Sequence, residues 1–581
     1  MKFRLVITTV LVCSSAALLS AQKPDSVVNR SVTVEREFQP IIQDAGKIIS
    51  TPKEIEPQVE RTQPVYADFT TPLNTNYTLY PLDPELLVHK QNDTRKGLIR
   101  LGIGYPINTL GDFRYPLVKN ENNRLDFSLR HLGAFGDKTY SKTIANLQYD
   151  HLFDNFNIFT GLSTSHDYFN YYGRFYGITS PFIMSDAASR YGDAIYTKKG
   201  ETTPITLYEL SAFPLNETHW RININVGIKS LPQSDDVKYL IDLQYNVFQS
   251  IQEQMNENHL TLKGMFEVPF NDDKLGMNIE INNLQYSVHN LTNFSFPKTY
   301  SVIKINPYYK IVGDFGFLRL SVKTGVSGQG QTFTPSPDVE VQWNAIPENV
   351  ALYGGVTGDI RISTMSVMYN ENRYLSSPLR LNDLYTPINA FAGVKFKPVY
   401  NFLLDVFGNY KIINKQYFFI NRLYTSDNMS EQNLKTIYQN RFDIIYADAK
   451  QSTVGLRADY NYKSKINVDL KGAYHYWDVQ GQQYAWQMPI WDIDFGANAQ
   501  IMNDINIYTE LFLQDGRYAK LDDRAVKMNP ALDINLGASY LYNEQLSFFA
   551  KLNNLLNKHY DSYYGYQVQG INIMAGITFS F

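Results

Sequence analysis

The last eleven residues, Ile571 to Phe581 (INIMAGITFSF), alternate without a break. Ile571, Ile573, Ala575, Ile577, Phe579 and Phe581 share one face of a strand, and Asn572, Met574, Gly576, Thr578 and Ser580 share the other. In water, a terminal strand with an all-apolar face is a liability, because its open edge invites pairing with other chains. A barrel closed in a bilayer removes the edge and gives the apolar face lipid to meet. The ending therefore predicts a transmembrane antiparallel β-barrel in the outer membrane of a Gram-negative cell. Its closing strand should pair with the strand near Leu98–Tyr105.

The same alternation recurs from residue 98 onward. Trp220, Ile222, Ile224, Val226 and Ile228 alternate with Arg221, Asn223, Asn225, Gly227 and Lys229. Val454, Leu456, Ala458, Tyr460 and Tyr462 alternate with Gly455, Arg457, Asp459, Asn461 and Lys463. One such segment fits any half-exposed sheet; the repetition fits lipid outside and a wet, charged lumen inside. Inward charges of both signs, among them Arg100, Arg319, Lys323, Asp469, Glu510 and Asp533, predict an interior laced with ion pairs rather than a strongly ion-selective pore. Aromatic residues make up 14% of the chain, as the interfacial girdles of a barrel require.

Turn chemistry sets the strand number. Tight connections are expected near Asn120, Asp154, Asn216, Asp272, Gly313, Glu348, Tyr400, Ser464, Asn503 and Asn543. Longer loops are expected at about 174–201, 289–298, 363–386, 421–435, 477–488 and 515–527. Ten short turns, with both chain ends on the same side, imply about 22 strands, within a range of 20–24. A barrel that wide has a lumen that normally must be filled.

Residues 1–21 read as a signal peptide: Lys2 and Arg4 precede an apolar run from Leu5 to about Leu19, then Ser20, Ala21 and Gln22. The one cysteine, Cys13, lies in that run, so the remainder has neither disulfide nor thiol chemistry. Residues 22–97 contain Pro24, Pro40, Pro52, Pro57, Pro64, Pro72, Pro81 and Pro84 and show little periodicity. They read as an irregular periplasmic or lumenal segment, with residues 98–581 forming the barrel. Within that segment Val32, Thr33 and Val34 form a candidate strand for pairing with a partner's sheet edge.

Recognised chemistry is sparse. The nine histidines form no HExxH or other compact ligand pattern, Gly102-Ile103-Gly104 lies on an alternating strand with no βαβ unit, and no phosphate-binding loop occurs. The expectation is a protein that is not an enzyme and carries no cofactor or metal. A formal charge of −4 with no basic stripe speaks against nucleic acid as a partner. Two aromatic groups remain. Tyr171 and Tyr172 belong to a cluster entering the longest predicted loop, and Trp477, Tyr484, Trp486 and Trp491 surround another. Their plainer role is the outer girdle; their functional role would be a ligand platform at the extracellular mouth.

Leu552 to Tyr560 (LNNLLNKHY) resembles the end of TonB-dependent receptors, with Asn554, Leu555, Leu556, Asn557, Lys558 and Tyr560 in matching positions. The terminal strand, with Gly576, Phe579 and Phe581 in register, resembles the signal read by the barrel-assembly machinery. The stretch VTVEREFQP is similar to outer-membrane barrels of Bacteroidota. What the resemblance implies is a receptor-type barrel for uptake of a solute, with TonB or a surface lipoprotein as partner. Residues 22–97 are too few and too proline-rich for the plug domain of that family, so a barrel without the standard plug is expected. Two alternatives stand beside uptake: a non-transporting scaffold subunit of an outer-membrane complex, and a fatty-acid-channel-like barrel of about 14 strands with an N-terminal hatch.

Overall fold

A computed structural model describes residues 97–581 apart from 174–175, 178–194, 197–204, 207–214, 232–236, 289–298, 329–332, 377–380, 424–436, 464 and 522–523. Residues 1–96, on which the expected leader, nearly all of the proline-rich segment and Val32–Val34 fall, lie outside the described residues. The first strands are Leu98–Tyr105 (β1), Asn108–Lys119 (β2), Asn123–Ala134 (β3), Tyr140–Leu152 (β4) and Phe156–Asn170 (β5). They are followed by Asn216–Ser230 (β6), Lys238–Ser250 (β7), Met255–Phe270 (β8), Asp273–Val288 (β9), Thr299–Gly313 (β10) and Gly316–Ser327 (β11). Next come Thr334–Ile346 (β12), Val350–Arg361 (β13), Leu384–Val399 (β14), Phe402–Leu423 (β15), Ile437–Tyr462 (β16) and Ile466–Val479 (β17). Trp491–Gln500 (β18), Ile505–Asp515 (β19), Ala531–Leu541 (β20), Leu546–Asn553 (β21) and Asn572–Ser580 (β22) complete the wall. The only helix among the described residues is Met365–Glu371 (α1), between β13 and β14.

Each of these strands pairs antiparallel with its sequence neighbours, and β22 pairs back onto β1 from Leu98 opposite Ser580 to Tyr105 opposite Ile573. The result is a closed 22-strand antiparallel barrel. The seam ends in a reciprocal bond: Gly97 N donates to Phe581 O at 2.8 Å and Phe581 N to Gly97 O at 3.0 Å. The count contradicts the fatty-acid-channel alternative, which needs about 14 strands.

Alternation sorts the wall as the sequence predicts. Leu101, Ile103, Ile222, Ile224, Val226, Val454, Ile573, Ile577 and Phe579 are exposed on the outer surface. Arg100, Asp112, Asp338, Asp405, Thr578 and Ser580 turn inward and are buried. Without water on its outer face, an apolar belt of this kind is stable only against lipid. Inside, Asp338 receives Arg319 at 3.3 Å and Lys323 at 3.0 Å, one of several ion pairs lining the lumen.

Inward aromatic rings also lie over glycines directly opposite on the next strand. Tyr308 covers Gly276, Tyr353 covers Gly393, Tyr508 covers Gly537, and Phe549 covers Gly576. Gly576 is required by packing: a Cβ there would stand 2.1 Å from Leu101 O and 2.4 Å from the Phe549 ring. Ring-over-glycine pairing fills the pleat where a sheet curves tightly, and it fixes register across the seam.

The ten connections on the side of Gly97 and Phe581 are short. Nine fall where expected, at 120–122, 153–155, 271–272, 314–315, 347–349, 400–401, 463–465, 501–504 and 542–545. The tenth expectation is corrected. Asn216 opens β6 at the opposite end, after a long loop, and the short connection follows β6 instead, between Ser230 and Lys238. A polar residue beside a strand marks its boundary without marking which end of the barrel that boundary occupies.

Wall height is uneven. β1 and β21 have 8 residues and β22 has 9, whereas β15 has 22 and β16 has 26. The tall hairpin rises beyond the neighbouring strands at the loop end, where it meets the segment carrying α1.

Candidate functional site: a segment folded across the barrel mouth

The described residues between β13 and β14, Ile362–Ser376 and Leu381–Asp383, do not project from the barrel. They fold inward across its loop end. Met365, Met368, Tyr369, Tyr374, Leu375 and Leu381 are buried in one apolar cluster with Phe248 of β7, Met255 of β8, Leu284 of β9, Val302 of β10, Tyr417 of β15 and Phe442 of β16. The cluster thus joins strands eight apart around the circuit through one loop.

A seven-residue helix is too short to persist alone in water. Its N-terminus is held twice. Thr364 Oγ1 accepts from Val367 N at 3.1 Å, and the Glu257 carboxylate of β8 accepts from the amides of Met365 and Ser366. A carboxylate there satisfies orphan donors and opposes the positive end of the helix dipole. Past the helix, the segment adds a bridge to β16. Leu375 pairs with Phe442, Ser376 N donates to Phe442 O at 2.9 Å, and Phe442 N donates to Tyr374 O at 3.0 Å.

Two carboxyls fasten the segment, Glu371 at the end of α1 and Asp383 at its junction with β14. The Tyr417 hydroxyl donates to Glu371 Oε2 at 2.5 Å, and the Tyr563 hydroxyl donates to the Glu371 carbonyl at 2.7 Å. Asp383 accepts from Ser327 Oγ at 2.7 Å, from the Tyr300 hydroxyl at 3.1 Å and from Ser363 N at 3.4 Å. Burial raises both carboxyls above their ordinary range. The Tyr417 bond and nearby Arg361 partly offset this at Glu371, and the three donors with Lys304 do so at Asp383.

The connection between β21 and β22 packs on top. Tyr566 stacks on Tyr374 with centroids 3.5 Å apart and planes within 16°, and its hydroxyl donates to Asn440 O. The Asn554–Tyr560 motif shapes this connection. Buried Asn554, at φ 50°, donates through Nδ2 to Lys558 O and Gln569 O and accepts from Lys558 N, closing the loop on itself. Asn tolerates this left-handed conformation better than other side-chain-bearing residues do. The Tyr560 hydroxyl anchors the motif to Asp533 at 3.0 Å.

The structure places the six aromatic residues of the expected platform in three settings. Tyr171 and Tyr172 belong to the mouth cluster: Tyr171 is buried beneath Arg441 at 4.1 Å, and Tyr172 packs against Tyr374 and Tyr566. Trp486 is buried in a second cluster with Tyr484 and Tyr518, and half-buried Trp477 touches both clusters, meeting Phe418 edge-on. Trp491 is elsewhere, on the outer surface against Tyr474 at 4.7 Å, in the position of an interfacial girdle. Gly576, Phe579 and Phe581 lie together at the seam. Sequence reading missed α1, Glu257 and Tyr374. No local signal ties Glu257 to a helix 108 residues later.

A Thr453–His475–Asp492 chain also links β16, β17 and β18, with Oγ1 to Nδ1 at 2.9 Å and Nε2 to Oδ1 at 2.5 Å. All three residues are buried, and the chain ties the wall together beneath the 480–490 connection.

The sequence matches no family model and no curated protein. Solved structures share its fold. The siderophore receptor PirA from Acinetobacter baumannii superposes with a TM-score of 0.60 at 10% identity, covering 85% of this chain and 81% of that one. The pyoverdine receptor FpvA from Pseudomonas aeruginosa, solved with pyoverdine bound, gives 0.58 at 10% identity over 85% and 79%. The copper transporter OprC gives 0.57 at 12% identity over 84% and 80%.

Proposed function

We propose that this chain is an outer-membrane uptake barrel of the TonB-dependent receptor type, whose mouth is gated by its own 362–383 segment. The observation that carries this reading is the inward fold of that segment, bonded at its helix start to β8 and beyond its helix to β16. A wall with an apolar exterior and a polar interior supports a passage, and a segment spanning the mouth supports a gate. The siderophore receptors and the copper transporter of similar fold, together with the Asn554–Tyr560 motif, support uptake of a solute rather than catalysis. On this reading residues 1–21 are the leader, residues 22–97 act in the periplasm or lumen, and Val32–Val34 offers a strand to a partner's sheet edge. The seam carrying Gly576, Phe579 and Phe581 is then the signal for barrel assembly.

A second reading also draws on the packed mouth: a barrel whose mouth is filled by one continuous apolar cluster suits a non-conducting scaffold subunit. Conductance in planar bilayers separates the two. The full chain, a version lacking residues 22–97, a version with 365–376 replaced by a Gly-Ser linker, and the double variant are compared. Uptake predicts current once the obstructing segments are removed. Silence from all four, with a stable co-purifying partner, supports the scaffold instead.

A further inference from the structure

Among the described residues, Arg100 is the one buried cation whose side chain touches no anion and donates no hydrogen bond. It points into the lumen from β1, is 8% exposed, and its Nε is sealed from water without a partner. Asp112 stands opposite on β2, yet both of its oxygens are engaged by Arg114 at 3.3 Å. Across the seam Thr578 of β22 is in register with Arg100, and its hydroxyl is also buried and unbonded. A third such atom is the Tyr508 hydroxyl, which reaches over Gly537 from β19 and lies within electrostatic reach of Arg100. Buried polar groups are paired almost without exception in native proteins. Three left open around one guanidinium mark the place of an acceptor that the described wall does not supply.

The adjoining wall leaves room for one. Gly102 and Gly576 face each other at the next inward pair of the seam, and the Phe549 ring covers both. Lys551 stands beside that ring, its Nζ 5.8 Å from the centroid. Lys551 also forms no ion pair among the described residues, and it and Arg100 repel each other. Glu510 acts on Lys551 from beyond ion-pair distance and is bonded to Asn535. A carboxylate held here gives the Arg100 fork a planar acceptor, gives Lys551 a counter-charge, and accepts from the two hydroxyls.

We infer that Arg100, Lys551, Thr578 and Tyr508 form a binding site for a carboxylate on the inner wall at the seam. Two sources share this chemistry: an acidic side chain of the preceding segment and a solute in the lumen. Gly97 is bonded to Phe581 at the rim, and Arg100 stands about 10 Å further along β1. Asp93 precedes Gly97 by four residues, a reach of about 13–14 Å, with Glu85 and Asp83 further back. From either source the anion joins β1, β21 and β22 where the wall strands are shortest. The inference concerns the wall alone and does not rest on the uptake reading.

The test titrates sodium acetate against sodium chloride at matched ionic strength, by calorimetry, into the full chain in detergent. A full-length triple variant carrying Asp83→Asn, Glu85→Gln and Asp93→Asn is titrated beside it. If a solute fills the site, both chains bind acetate in the millimolar range; if the chain fills it, only the triple variant does. Added to the triple variant, Arg100→Gln should weaken acetate tenfold or more and Lys551→Gln severalfold. Lys397→Gln, the same charge change on the far side of the barrel, should leave binding unaltered. The heat-modifiable gel band checks the fold of each, and Lys551→Gln carries the test where Arg100→Gln does not fold. Acetate behaving as chloride does with the triple variant overturns the inference. So does binding that survives Arg100→Gln, or Lys551→Gln where it carries the test.

Discussion

The two ends of the barrel are built by different physics. At the turn end, each connection is specified by a few adjacent residues. Asn120 Oδ1 accepts from the amides of Asn122 and Asn123, and Asn543 Oδ1 accepts from those of Gln545 and Leu546. These closures are local and independent of one another. At the loop end, α1 is too short to form alone: Glu257 and Tyr417 hold the helix, and Phe442 and Tyr566 hold the residues just after it, from four distant parts of the chain. The first design tolerates change one turn at a time; the second stands or falls as a unit.

Replacing residues 365–376 by a flexible linker should break that comparison most visibly. The wall should still form, shown by the native far-ultraviolet spectrum and the heat-modifiable gel band, while the mouth loses its cover and hydrogen exchange at Tyr566 and Phe442 accelerates. Unfolding of the whole barrel would mean that the two ends are one cooperative unit.

At the seam, Gly576→Val should be nearly as damaging, because the added side chain meets Leu101 O and the Phe549 ring. Overpacking costs about 1–3 kcal/mol and here also disturbs register, so the folded yield should fall. Gly264, where an added Cβ meets nothing within 4 Å, provides the matched control, and Gly264→Ala should leave yield unchanged.

Within the mouth, Tyr374→Ala should destabilise the segment by about 3 kcal/mol, as large-to-small changes of buried aromatics do. Its coupling to Tyr566→Ala in a double-mutant cycle should be about 0.5–1.5 kcal/mol, read by exchange of residues 362–383. Asn543→Ala, by contrast, should cost about 1 kcal/mol at its own turn and leave the mouth unmoved.

The smallest effect is one of pH. Glu371 and Asp383 sit above their ordinary values of 4.5 and 3.8 when the segment is packed. A raised carboxyl favours the packed state most below its unpacked value, and that contribution is lost as pH climbs through the packed one. Protection of the segment, taken relative to the intrinsic exchange rate at each pH, should therefore fall as pH rises above about 4, and Glu371→Gln with Asp383→Asn should flatten that profile.

The contrast also explains what could be read from the chain. Alternation is a property of neighbours two apart, so the outward Leu101, Ile103, Ile573 and Ile577, the inward Arg100 and Thr578, and the closure of β22 on β1 were all legible. Nine tight turns were legible for the same reason, while Asn216 was misplaced because its polarity marks a strand end without naming the side. The site was much less legible. Residues 363–386 read as one more long loop, since Met365, Met368 and Tyr369 are too few to establish a helical period and Ser363, Thr364 and Asn372, though buried, look solvent-facing. Tyr171 and Tyr172 stood out by crowding, yet their partner Tyr374 lies about two hundred residues away and leaves no mark near them.

The uneven wall also affects the surrounding lipid. Strands of 8 and 9 residues tilted by about 40° give the seam side a span of roughly 20–23 Å, against an apolar band of about 25 Å on typical barrels. Lipid beside β22 and β1 must therefore thin, whereas lipid beside β16 need not. At fractions of a kcal/mol per Å, that difference gives the protein a heading in the plane of the membrane, with its short side turned towards thinner bilayer or towards a neighbour that relieves the strain.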